Sequence, residues 1–157
     1  MVNSSKSSRS PLSRAIPLAL LLMASASLYA QQPVSISLKG ASEVPPVTSS
    51  ATGTGQITVL PDHTVRGSIK TSGLVPTMAH VHEAAVGKNG PPIITLTKTA
   101  DDSFAVPPNA KLTDAQYASY MAGNLYVNVH SAQHPNGEMR AQLPRMETDG
   151  TPNRPAY

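Results

Sequence analysis

The chain has 157 residues, room for one ordinary domain, and carries 12 Lys and Arg against 9 Asp and Glu. Three of those basic groups, Lys6, Arg9 and Arg14, sit at the very start; the rest is neutral and lacks any Lys/Arg run, which argues against nucleic-acid binding. The absence of cysteine excludes a disulfide framework, a thiolate zinc site, a cysteine nucleophile and a lipidated Cys, while 15 Pro and 10 Gly favour short strands and turns over a helical bundle.

Residues 1–30 read as a secretory signal peptide. A basic, Ser-rich start leads into the apolar stretch Ala15–Ala26, and small residues follow. Cleavage is expected after Ala26 or Ala30, with Ala30 preferred because strand patterning begins soon after it. The stretch contains Pro17 and falls short of the roughly 20 apolar residues that a spanning helix needs. No other segment is apolar enough to span, so the mature part is expected to be exported, periplasmic or secreted, without a transmembrane anchor. The one Asn-x-Ser match, Asn3-Ser4-Ser5, lies within the signal.

Period-two patterning starts at Val34, where Val34, Ile36 and Leu38 alternate with Ser35, Ser37 and Lys39. Pro45-Pro46 breaks that ladder. Ile57 and Val59 begin a second strand, Pro61-Asp62 turns it, and Val65, Gly67 and Ile69 alternate back toward Gly73 as a hairpin. Further strands are predicted at Met78–Ala84, Ile93–Thr97, Leu125–Ser131 and Glu138–Leu143, with the last two joined by a turn containing Pro135 and Asn136-Gly137. Thr113-Asp114-Ala115-Gln116 matches a capping box, and Tyr117, Tyr120 and Met121 continue at helical spacing to Gly123. The fold expected is all-β: an antiparallel Greek-key β-sandwich or barrel over 31–143, with one short helix across an end. Residues 144–157 read as a disordered, Pro-containing tail.

The chemistry lies in the histidines. In Ala79-His80-Val81-His82-Glu83 the two imidazoles are two residues apart, so on a strand they share one face with Cα atoms about 6.6 Å apart. His130 shares the polar face of its strand with Tyr126 and Asn128, and Arg140 lies on the polar face of the next with Glu138 and Gln142. His80, His82 and His130 are therefore the candidate metal ligands, and imidazole suits copper or zinc. The competing reading is that both His simply point outward. His63 and His134 sit in turns and read as solvated, Glu83 as a surface charge, and Asp101-Asp102 as a solvated loop. No Gly-x-Ser-x-Gly elbow or phosphate-binding loop is present. The turn Gly87–Pro92 carries no phosphate role.

The sequence resembles the CHRD domain, named after chordin. The resemblance rests on residues 38–46, on Ala79-His80-Val81-His82, on residues 87–91, and on residues 123–130 and 135–143. It implies an all-β extracellular module and leaves the biochemical role open. More distantly, His80-Val81-His82-Glu83 resembles the copper-ligand pair of copper–zinc superoxide dismutases. That likeness would make His130 a late-strand copper ligand and Arg140 an anion guide. No His lies between His82 and His130, so the bridging and zinc-site ligands of that family are missing. Three functional expectations follow. The first is a non-enzymatic binding module of undefined envelope or extracellular ligand, with His80, His82 and His130 as a candidate copper site on its polar face. The others are a copper-only redox protein in which Arg140 draws in the substrate, and a metal-free structural or adhesive unit.

Overall fold

The computed structural model describes residues 33–147 together with Met1, Thr151 and Pro152. The expected signal segment, Met1 apart, lies outside the described residues, as do 148–150 and 153–157. Among the described residues nine strands form in chain order: β1 (Val34–Lys39), β2 (Thr52–Val59), β3 (Val65–Ser72), β4 (Pro76–Glu83), β5 (Pro92–Thr95), β6 (Thr97–Ala100), β7 (Ser103–Ala105), β8 (Leu125–Ser131) and β9 (Met139–Gln142). A single α-helix among the described residues, α1 (Asp114–Met121), precedes β8, and a 3-10 turn follows β1 at Gly40–Ser42.

All strands belong to one sheet, ordered β5-β4-β8-β9-β1-β2-β3-β7-β6, and every pairing is antiparallel. The order explains the shape. β5 and β6 are its two ends, yet only Leu96 separates them along the chain. Two Cα–Cα steps cover at most about 7 Å, so the ends of the sheet meet at that corner and the sheet is nearly closed, like a barrel. Leu96 is buried there, and its N–H donates to the Ala79 carbonyl of β4 at 2.9 Å. The join between β9 and β1 is narrow, a single register pair of Lys39 opposite Arg140. The core inside contains Leu38, Ile57, Ile69, Val81, Phe104, Val127, Met139 and their apolar neighbours.

The alternation at Val34–Lys39 places its three apolar residues inward, as the sequence predicts. β2 begins at Thr52, five residues before the first apolar signal at Ile57. Gly53 and Gly55 take its inward positions, so hydrophobicity is silent there; a Cβ on Gly53 would press on Leu38 and on the Met139 sulfur at 3.3 Å. The expected strand Ile93–Thr97 is two strands that turn at Leu96. β6 is exposed along its whole length and β7 buries only Phe104, so neither carries a periodic signal.

The capping box of α1 is formed in both directions. The Gln116 N–H donates to Thr113 Oγ1 at 3.2 Å, and the Thr113 N–H to Gln116 Oε1 at 2.9 Å. The helix lies across a barrel end: Tyr120 is buried, Ser119 Oγ donates to Glu83 Oε1 at 2.6 Å, and His63 stacks on Tyr117. Beyond Leu143 the chain stays packed through Met146, 4 % exposed, whose N–H donates to the Met121 carbonyl. Among the described residues no helix is long and apolar enough to cross a membrane.

Candidate metal centre

β4 and β8 are neighbours, with Met78 opposite His130, His80 opposite Asn128 and His82 opposite Tyr126. Ala79 and Val81 of β4 and Val127 and Val129 of β8 face the core, so the intervening polar side chains project from the outward face. The three histidines meet on it. His80 Nδ1 lies 3.0 Å from His130 Nε2, and one ring nitrogen from each of His80, His82 and His130 falls within 4.8 Å of the others. Two residues of spacing on β4 and the β4–β8 register produce this grouping, and only the first is visible in the sequence.

Along β8 the outward face is covered, contrary to the expectation of a polar surface, while on β4 it stays open at Met78 and partly at His80. Every residue of β8 is buried, on both faces. The turn that begins at Gly40 and the turn spanning 84–91 are fastened together over it, with Asn89 Nδ2 donating to the Val44 carbonyl at 2.7 Å. Gly90 presses so closely on the end of β4 that a Cβ there would run into the Glu83 carbonyl oxygen. That approach delivers the Gly90 carbonyl to His82 Nδ1 at 2.8 Å.

Two backbone carbonyls set the imidazole tautomers. A carbonyl only accepts, so His82 Nδ1 donates to Gly90 and His130 Nδ1 donates to Pro135 at 2.9 Å. In a neutral ring the lone pair then sits on Nε2 in both. His130 Nε2 accepts from His80 Nδ1, while His82 Nε2 is buried without any hydrogen-bond partner among the described residues. Asn128 Oδ1 and Glu43 Oε1 are buried and unpartnered in the same polar layer. Burial lowers the pKa of His80 and His82; the Gly90 carbonyl and the Asn128 side chain offset part of this at His82, and proximity to His130 lowers both. Both therefore favour the neutral, ligand-competent form.

Arg140 lies beside this cluster but across the Tyr126 ring from it, close enough for its charge to lower the His82 pKa. β8 runs between β4 and β9, so the Tyr126 ring lies between Arg140 and His82. It stacks on the His82 ring at 4.8 Å and carries the guanidinium 3.3 Å from its centroid. Arg140 also donates to Asn89 Oδ1 at 3.3 Å and to Gln142 Oε1 at 3.0 Å, and is 2 % exposed. The position is that of a clamp between β9 and the 84–91 turn, whereas the superoxide dismutase likeness implies an anion guide at Arg140.

The acids lie outside the ligand group. Glu83 anchors α1 through Ser119, in place of the free surface charge expected. Glu138 accepts from Ser49 Oγ at 2.6 Å. His63 packs on Tyr117 and lies 3.4 Å from Asp114; His134 is half-buried in the β8–β9 turn. Glu43, Asn89, Gly90 and Tyr126 were missed as site components. Asn89 and Gly90 sit in a turn sequence, and nothing in their local chemistry announces that they roof a strand far away in the chain.

Nearly closed antiparallel strands with a roofed imidazole cluster on the outer face define a small all-β module with a built polar centre. The chain belongs to the CHRD family: the family model for the CHRD domain matches residues 34–143. No curated protein and no solved structure matches it. The segments that carry the resemblance in the sequence converge in space. Residues 38–46 and 87–91 roof the centre, 79–82 and 123–130 supply its histidines, and 135–143 supply Arg140 and the Pro135 carbonyl.

Proposed function

We propose that this CHRD domain is an exported binding module whose centre, His80, His82 and His130, holds a copper ion. The observation that supports this most directly is the cluster itself, one ring nitrogen from each of His80, His82 and His130 within 4.8 Å of the others, with His82 Nε2 buried and without a hydrogen-bond partner. An unpartnered buried acceptor is costly, of order 1–3 kcal/mol, unless something occupies its direction. The carbonyls behind His82 and His130 are the outer partners that orient metal-binding imidazoles. A donor set of imidazoles without a carboxylate suits copper or zinc and disfavours calcium and magnesium. Redox turnover gains no support from Arg140, whose guanidinium is covered and engaged.

The test is a titration of the purified chain, free of any histidine tag, with copper and zinc ions. One ion per chain is expected, with affinity falling about 100-fold or more in His82→Ala and in His130→Ala. Absent binding, or binding that both variants retain, would leave a metal-free structural module.

A further inference from the structure

We infer that Met78 supplies a thioether sulfur as a fourth ligand to this centre and makes it selective for Cu(I). The inference rests on the three-His metal reading and names the oxidation state that such a site would take. Met78 precedes His80 by two residues on β4 and is the cross-strand partner of His130. It therefore stands on the same outward face, beside both. Directly paired residues place their Cβ atoms about 4.5–5.5 Å apart, within the compass of a side chain with three rotatable bonds.

Two independent features mark the position. The β4–β8 register shifts between Pro76 and Met78, leaving Thr77 as an extra residue. Bulges of this kind re-aim side chains beside functional sites. Met78 is also 47 % exposed, whereas Met139 and Met146 are buried in the core. His82 and His130 are buried and His80 is the half-exposed member, so the cluster is most accessible at His80, next to Met78.

The chemistry of the donors then selects the ion. The chain has no cysteine, so a thioether is the one soft sulfur ligand it offers. Thioether and imidazole are both neutral, and no carboxylate joins the cluster. A monovalent ion leaves less uncompensated charge in such a layer than a divalent one, all the more with the buried Arg140 close by. Soft ligands also prefer Cu(I) to Zn(II).

The experiment compares wild type with Met78→Leu, which keeps the volume at an exposed position, and with His130→Ala. Cu(I) affinity is measured by competition with a chelator under anaerobic, reducing conditions, and Zn(II) affinity in parallel. Met78→Leu is expected to weaken Cu(I) about tenfold or more while moving Zn(II) less than about twofold. The sulfur contribution to the copper X-ray absorption spectrum disappears with it. Equal Cu(I) affinity in wild type and Met78→Leu, with binding lost in His130→Ala, would overturn the role of Met78 and leave the three-His centre standing. No Cu(I) binding in the wild type would overturn this inference, and no binding of any tested ion would overturn the centre as well.

Discussion

Glu43 and Arg140 share the roofed polar layer, and burial moves each toward its neutral form. The Glu43 carboxyl is raised from 4.5 to about 7 by burial, against the pull of the Arg140 charge, and burial lowers the Arg140 pKa. The folded chain therefore holds a proton on Glu43 that the unfolded chain has already lost. This contribution to stability is full below about pH 4.5 and is lost as pH rises through about 7. His80 and His82 act in the opposite sense. Their folded pKa values lie below the ordinary 6.5, so the unfolded chain binds protons first and stability falls as pH drops below 6.5. Thermal melts of metal-free protein from pH 5 to 8.5 should separate the two. In Glu43→Gln the decline between about pH 6.5 and 8 should vanish while the acid-side loss remains. A wild-type midpoint that stays level from pH 6.5 to 8 would contradict a buried, protonated Glu43.

The individual elements differ in how plainly their sequences announce them. β1, the Ile57–Val65 bend of the β2–β3 hairpin and β8 carry apolar residues at alternate strand positions, and water alone dictates which side turns inward. The capping box of α1 is equally local, because Thr113 and Gln116 satisfy each other's backbone N–H within one turn. Thr113→Ala should cost about 1 kcal/mol, a fall of about 4 °C in midpoint. An unchanged melt would mean that contacts of Tyr120 and Ser119 hold the helix without its cap. The start of β2 and all of β6 and β7 were illegible for the converse reason. Gly53 and Gly55 present no side chain, and Thr97–Ala100 is exposed throughout, so these segments are strands through pairing with neighbours and not through their own pattern.

The nearly closed sheet depends on one residue at its seam. Leu96 joins the two end strands, fills the core and bonds to β4 through its amide. Leu96→Ala should cost about 2–5 kcal/mol and speed hydrogen exchange at the Leu96 amide before the centre of β8 is affected. Destabilisation without that local opening would show that the seam is held elsewhere. The same closure explains the centre: β4 lies at the seam side of β8, and the 84–91 turn leaving β4 folds back over both strands on its way to β5.

Alternation, turn residues and a capping box are short-range signals, and from them the sequence by itself established an all-β chain with one helix. It also established that His80 and His82 share a face. Hydrophobic burial acts on each residue separately, so its imprint is readable one segment at a time. The meeting of His130 with that pair, the roof of residues 40–47 and 84–91, and the withdrawal of Arg140 behind Tyr126 depend on which strands pair and in what register. Those are relations between segments far apart in the chain. Pairing is fixed by the joint packing of the whole core, and no local pattern in β4, β8 or β9 encodes it.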